Sequence, residues 1–192
     1  LSKSKSFGKQ FQWQSEESLD RSFQGLYPQE TEDIQDTLLR VQRPNVLVIF
    51  MESFGSKFVK ELGGLPDVAP GMSRLIPQSI LWEHVYSNSF RTDRGTVSAF
   101  SGWVSYPTAS LIRLPEKLGN IPSLARSLSR EGYHTCYLYG GDITFMNTQG
   151  YLVSTGYRQL VSDSDFSLAQ INESKWGAND SVTARRTFEM IA

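Results

Sequence analysis

Seven residues constrain this chain more than any others: Asn45-Val46-Leu47-Val48-Ile49-Phe50-Met51 is a nearly unbroken apolar, β-branched-rich run bounded by Glu52. Apolar side chains at both odd and even positions leave no face for water, so the run predicts a central strand of a parallel sheet covered by helices on both sides. Pro44 sets where it begins and ends the helical pattern of Thr31 to Gln42. Two further strand candidates follow, Ile80 to Ser87 and His134 to Tyr139, separated by helical patterns around Thr96 to Trp103 and over Ile121 to Glu131. The latter has Pro122 near its start, Leu124 and Leu128 one turn apart, and Gly132 as its stop. Strands alternating with helices predict an α/β chain with a parallel or mixed sheet.

A chain of 192 residues, 39% of them hydrophobic and 20% charged, has the material for one globular core. A formal net charge of -1 gives no basic field for a nucleic-acid backbone, so no nucleic-acid partner is expected and any anion must be held locally. The one cysteine, Cys136, has no internal disulfide partner, and its neighbours Thr135, Tyr137 and Leu138 read as buried strand. There is no apolar run long enough to span a bilayer and no signal-peptide pattern, and the start at Leu1 reads as a cut. From Leu1 to about Glu30 the chain is polar, with Phe7, Phe11, Trp13, Phe23 and Tyr27 fitting no regular period. Residues 1–43 are therefore expected to be a connecting arm and helix, and 44–192 the domain proper.

Glu52 falls at the carboxyl end of the predicted central strand, the edge where open α/β sheets bind their ligands. A carboxylate there suits a hard-metal ligand or a catalytic acid; it equally suits a helix cap or an ion-paired loop residue. The segment Ser89 to Gly102 runs from a loop into a helix, with Gly95 before the expected first turn, which places Thr96 at a helix N-terminus. Backbone N–H groups at such a position favour an oxyanion or phosphate, although Thr96 or Thr92 could as well be a plain N-cap. Arg91 and Arg94 could pair an anionic ester. His84 and His134 read as structural or surface residues, Asp163 and Asp165 as a solvated turn, and Gly63-Gly64 and Gly140-Gly141 as turns. No HExxH, CxxC, GxGxxG or Walker pattern is present.

Taken in order, NVLVIFMESFG, SNSFRTDRGTVSAFSG, IPSLARSLSREGYHTCYLYGGDITFMNTQGYLVSTGYRQLVSD and the late Trp176-Gly177-Ala178-Asn179-Asp180 resemble the lipoteichoic-acid-synthase and phosphoglycerol-transferase branch of the alkaline-phosphatase/sulfatase superfamily, from about Pro44 to about Ile191. The resemblance implies a three-layer alkaline-phosphatase-like α/β sandwich with a mostly parallel central sheet, incomplete at the C-terminus. It implies Glu52 as ligand of a divalent metal (Mn, Mg or Zn), and Thr96 as both ligand and nucleophile through a phospho-threonine intermediate. Arg94, Asp142 and Asn147 become candidates for the substrate pocket, with Thr144 as a further polar lining residue.

Three departures shape the expectation. Where relatives that handle glycerol phosphate carry His, Trp and Arg, this chain has Tyr139, Met146 and Thr148. The C-x-P-x-R segment that matures to formylglycine in sulfatases is absent, since Tyr137 and Leu138 follow Cys136. The Asp-His pair and the further His that complete the family's metal site do not occur, so the remaining ligands are expected beyond residue 192 and the chain alone is expected to be inactive. The resemblance implies a phosphorylated or sulfated envelope or lipid-linked substrate, membrane attachment through upstream helices, and an extracytoplasmic catalytic domain. Two rivals stand beside a phosphotransferase or phosphoester hydrolase: a sulfuric ester hydrolase, and a degenerate module that binds an anionic glycan or lipid without catalysis.

Overall fold

The computed structural model of the chain describes residues 14–26, 39–106, 109–171 and 174–192. Its internal contacts divide it into two units, Leu1–Phe50 and Met51–Ala192.

In the first unit, helix α1 (Glu16–Leu26) stands where the sequence suggested an arm of no regular period. Glu16 and Glu17 place negative charge at its N-terminus, where the helix dipole favours it. The helix expected over Thr31 to Gln42 lies mostly outside the described residues, and 39–42 are not helical. The expected strand 45–51 forms no ladder, and its side chains are exposed, Ile49 to 70%. Apolar, β-branched composition suits a strand, but pairing makes one, and no described strand supplies the matching N–H and C=O groups.

In the second unit, helix α2 (Pro70–Leu75) begins on a proline whose missing N–H costs a helix start nothing. Residues 80–87 form no ladder either: Glu83 and His84 sit in a turn, and Trp82, Val85 and Tyr86 are exposed. Helix α3 (Thr92–Ser101) follows, with Asp93, Thr96, Val97, Phe100 and Ser101 on its buried face, and ends on left-handed Gly102, whose N–H reaches the Ser98 carbonyl at 3.0 Å. The short α4 (Pro115–Leu118) buries Leu118. Helix α5 (Leu124–Arg130) has Ser123 as N-cap, accepting the Arg126 N–H at 3.2 Å, and Gly132 beyond its end is left-handed at φ 80°.

Strand β1 (Cys136–Leu138), helix α6 (Thr148–Ser154) and strand β2 (Gln159–Val161) form a parallel βαβ unit, with Cys136 opposite Gln159 and Leu138 opposite Val161. Cys136 is exposed rather than buried, so its thiol lies on the open side of the strand. Helices α7 (Leu168–Ile171) and α8 (Asp180–Ile191) close the described chain, the latter capped by Asn179 accepting the Val182 N–H at 3.1 Å. The core gathers Val97 and Phe100 of α3, Ile112, Leu118, Ile121, Ile143, and Tyr151 and Leu152 of α6. The rings of Phe100, Tyr137 and Tyr157 meet edge to face at 5.7–6.2 Å. Gly140 and Gly141 do more than turn the chain: a Cβ on either would lie 2.6 Å from the carbonyl of Ala178 or Trp176, and the Gly140 carbonyl accepts the Ala178 N–H at 2.8 Å. Their lack of a side chain lets the 176–178 segment lie directly on the end of β1.

Candidate active site

Glu52 occupies a turn directly after the apolar run, followed by Ser53 in the left-handed region at φ 58°. Its exposed carboxylate meets the hydroxyl of Thr92, which donates a short hydrogen bond to Glu52 Oε1 across forty positions of sequence. Thr92 is the first residue of α3, preceded by Arg91 in extended conformation at φ -123° and ψ 139°. The helix therefore starts four residues earlier than Gly95 suggested, and Gly95 lies in its first turn with its N–H on the Arg91 carbonyl at 2.9 Å. Thr96, expected at the helix start, sits one turn inside and is 4% exposed. Only Val97 and Phe100 of the helix's buried face are apolar; the first turn is buried through Asp93 and Thr96, so hydrophobic spacing does not mark where the helix starts.

Tyr139 follows the C-terminal end of β1. Tyr139 is part-exposed; burial raises its phenol above the usual value, and the Glu52, Asp142 and Asp163 carboxylates push it the same way. Burial carries Tyr137 up to about 12, with smaller contributions from Tyr139, Tyr151 and Glu52. Both phenols stay protonated near neutrality, and Tyr139 is an O–H donor in the neighbourhood of Glu52.

The other sequence candidates fall in different surroundings. Arg94 is half-buried, its guanidinium 5.8 Å from the Phe90 ring. Asp142 closes a local turn, accepting the Thr144 N–H at 2.8 Å and hydroxyl at 2.6 Å, which lowers its carboxyl below the usual range. Asn147 is left-handed at φ 65°, and its amide donates to the Ile112 carbonyl at 2.6 Å. That bond ties the loop before α6 to the turn Leu111–Arg113. Asp163 and Asp165 belong to a tight turn capped by Ser162. His84 is exposed in its turn, and His134 contacts the Gln159 side chain at 3.1 Å.

The sulfatase family model matches residues 44–191. This chain belongs to the sulfatase family. Among solved structures it is similar to a protein in the alkaline phosphatase superfamily from Vibrio parahaemolyticus, with TM-score 0.67 and 26% identity over 73% of this chain and 34% of that one. It is also similar to the lipoteichoic acid synthase LtaP from Listeria monocytogenes, with TM-score 0.47 and 17% identity over 54% of this chain and 25% of that one. The chain thus spans about a third of the length of the first structure and a quarter of the second. Its fold is alkaline-phosphatase-like, and the described residues hold the small parallel sheet of a larger domain type.

Sulfatase-superfamily members generally use divalent metals. Glu52 and Thr92 present a carboxylate and a hydroxyl in mutual contact, two hard oxygen donors that suit part of the shell of such a cation. Among the described residues no group of three or more His, Cys, Asp or Glu side chains lies close enough to hold one. No helix among them is long and apolar enough to cross a membrane.

Proposed function

We propose that this sulfatase-family chain contributes the nucleophile and two metal ligands, Glu52 and Thr92, to an ester-processing centre, with Thr92 in the role that the resemblance implied for Thr96. The contact between the Thr92 hydroxyl and Glu52 carries this reading. As the first residue of a ten-residue helix, Thr92 sits where the helix dipole and unpaired N–H groups favour negative charge on its oxygen. Thr96, buried within the helix, has no comparable opening to an ester.

The chemistry is in-line transfer of a phosphoryl or sulfuryl group. Thr92 Oγ1 forms a bond to the central atom as the bond to the ester oxygen breaks, and its proton leaves toward the Glu52 carboxylate that already accepts it. Glu52 and Thr92, with further ligands, would hold a divalent cation, which would supply charge stabilisation for the oxygens that become negative. Tyr139 supplies an O–H in the neighbourhood of Glu52. The substrate class we assign is a phosphate ester on an envelope or lipid-linked carrier, processed outside the cytoplasmic membrane. The sequence resemblance supports that choice, and the missing C-x-P-x-R segment disfavours formylglycine-type sulfate hydrolysis.

Turnover of p-nitrophenyl phosphate and p-nitrophenyl sulfate by the full-length protein tests the reading. Thr92→Val should lower phosphate turnover on the order of a thousandfold or more, as loss of a nucleophile does, while Thr96→Val keeps most of it. Near-normal turnover by Thr92→Val would return the role to Thr96 or remove it from this helix. A rate on the sulfate exceeding that on the phosphate would overturn the substrate class.

A further inference from the structure

The second residue of α3 is an acid in an unusual position. Asp93 has a side chain only 3% exposed, yet its Oδ1 accepts no hydrogen bond. Two guanidinium groups flank it: Arg91 Nε lies 3.6 Å from Oδ1 and Arg113 Nε 3.9 Å from Oδ2, both beyond hydrogen-bond length. Burying a carboxylate is costly, and a carboxylate buried only to stabilise the fold would be expected to form close hydrogen bonds. Here it meets Arg91 and Arg113 only as long ion pairs. Arg113 also donates Nη2 to the Met146 sulfur, a weak acceptor, and its side chain remains 56% exposed. A guanidinium has five N–H donors in a planar fork, and these contacts engage its Nε and Nη2 sides.

We propose that Arg113, held beside the first turn of α3 by the buried Asp93 carboxylate, pairs with a non-bridging oxygen of the tetrahedral anion that Thr92 engages. Asp93 is a positioning residue: it lies next to Thr92 in sequence and draws Arg113, which comes from the turn Leu111–Arg113, toward the same helix end. Asn147 holds that turn in place through the Ile112 carbonyl, immediately before Arg113. Arg94, the arginine the sequence favoured, instead lies over Phe90. The remaining N–H donors of this permanently charged group suit one phosphate oxygen, whereas a lysine would keep the charge without the planar geometry. The assignment rests on the reading of Thr92 as the reacting residue, but its test does not require turnover.

The experiment is calorimetric binding of inorganic phosphate to the full-length protein in the presence of Mn2+, for wild type, Arg113→Met, Arg113→Lys, Asp93→Asn and the Asp93→Asn/Arg113→Met double variant. Arg113 is exposed, so its variants should fold. Arg113→Met is expected to weaken phosphate about ten- to a hundredfold, as loss of a charged hydrogen-bonding group does, and Arg113→Lys should recover part of that. Asp93→Asn should weaken phosphate in the wild-type background and add little once Arg113 is gone. Phosphate affinity unchanged in Arg113→Met, or no phosphate binding by the wild type, overturns the assignment. Full additivity of the two substitutions overturns the positioning role of Asp93. Loss of phosphate binding in Arg113→Met with normal turnover by Thr92→Val would instead leave Arg113 standing and sink the nucleophile.

Discussion

Asn147 separates a residue that builds a site from one that works in it. Its amide bond to the Ile112 carbonyl and its left-handed backbone both describe a tether. Asn147→Ala should therefore cost about 1–3 kcal/mol in a urea melt, from the lost hydrogen bond plus the left-handed strain that alanine bears. The test is that melt set beside the KM for p-nitrophenyl phosphate: a KM raised with stability unchanged would make Asn147 a binding residue instead. At this scale the sequence was partly readable. Glu52 stands out because a charge ends an apolar run, a signal written in adjacent residues. The Thr92 contact does not, because it joins positions forty apart and depends on where the helix starts, and Gly95 pointed to the wrong turn. Arginine in a loop is equally silent: Arg91, Arg94 and Arg113 look alike in sequence, and only the buried Asp93 distinguishes two of them.

Elements with local punctuation formed where the sequence placed them. Helix α5 lies within the predicted Ile121 to Glu131, starting after the Ser123 cap rather than at Pro122 and ending before Gly132, and β1 lies within the predicted His134 to Tyr139. The Ser123 hydroxyl serves twice, capping Arg126 and reaching the Thr155 carbonyl. Ser123→Ala should lower stability by about 1–2 kcal/mol without changing phosphate affinity, and a thermal melt matching wild type would deny the cap its weight. Gly177 is left-handed at φ 105° and lies where the backbone approaches Gly140. Gly177→Ala should destabilise by more than a helix-surface change would, and an unaltered melt would contradict that close approach. Residues 45–51 and 80–87 show the limit of composition. Their apolar, β-branched content is that of strands, but a ladder needs a partner, and among the described residues only β1 and β2 pair.

At the scale of the whole molecule, the core is stitched by phenols as well as by aliphatic packing. Tyr151 is fully buried with its hydroxyl 2.7 Å from Ser101 Oγ, and Tyr137 and Tyr157 close the aromatic cluster around Phe100. Tyr137 holds its proton up to about 12, against an ordinary value of 10.0. A folded-state pKa raised above the unfolded one means the contribution is fully present below pH 10 and is lost as pH rises through 12. Stability measured by urea titration should hold up to about pH 10 and then fall, and Tyr137→Phe should flatten part of that fall. An equally steep alkaline decline in Tyr137→Phe would place the sensitivity elsewhere.

The reaction itself can be located on one residue by peptide mapping. The full-length protein is mixed with p-nitrophenyl phosphate and quenched in acid within a turnover, then digested with trypsin, and the phosphopeptides are sequenced by fragmentation. Arginines at 91, 94 and 113 separate Thr92, in Thr92-Asp93-Arg94, from Thr96, in the peptide running from Gly95 to Arg113. Phosphate on Thr92, absent from Thr92→Val, is the predicted result. Phosphate on Thr96, or on neither threonine while p-nitrophenol is still released in a burst, would contradict the assignment of this helix start as the reacting centre.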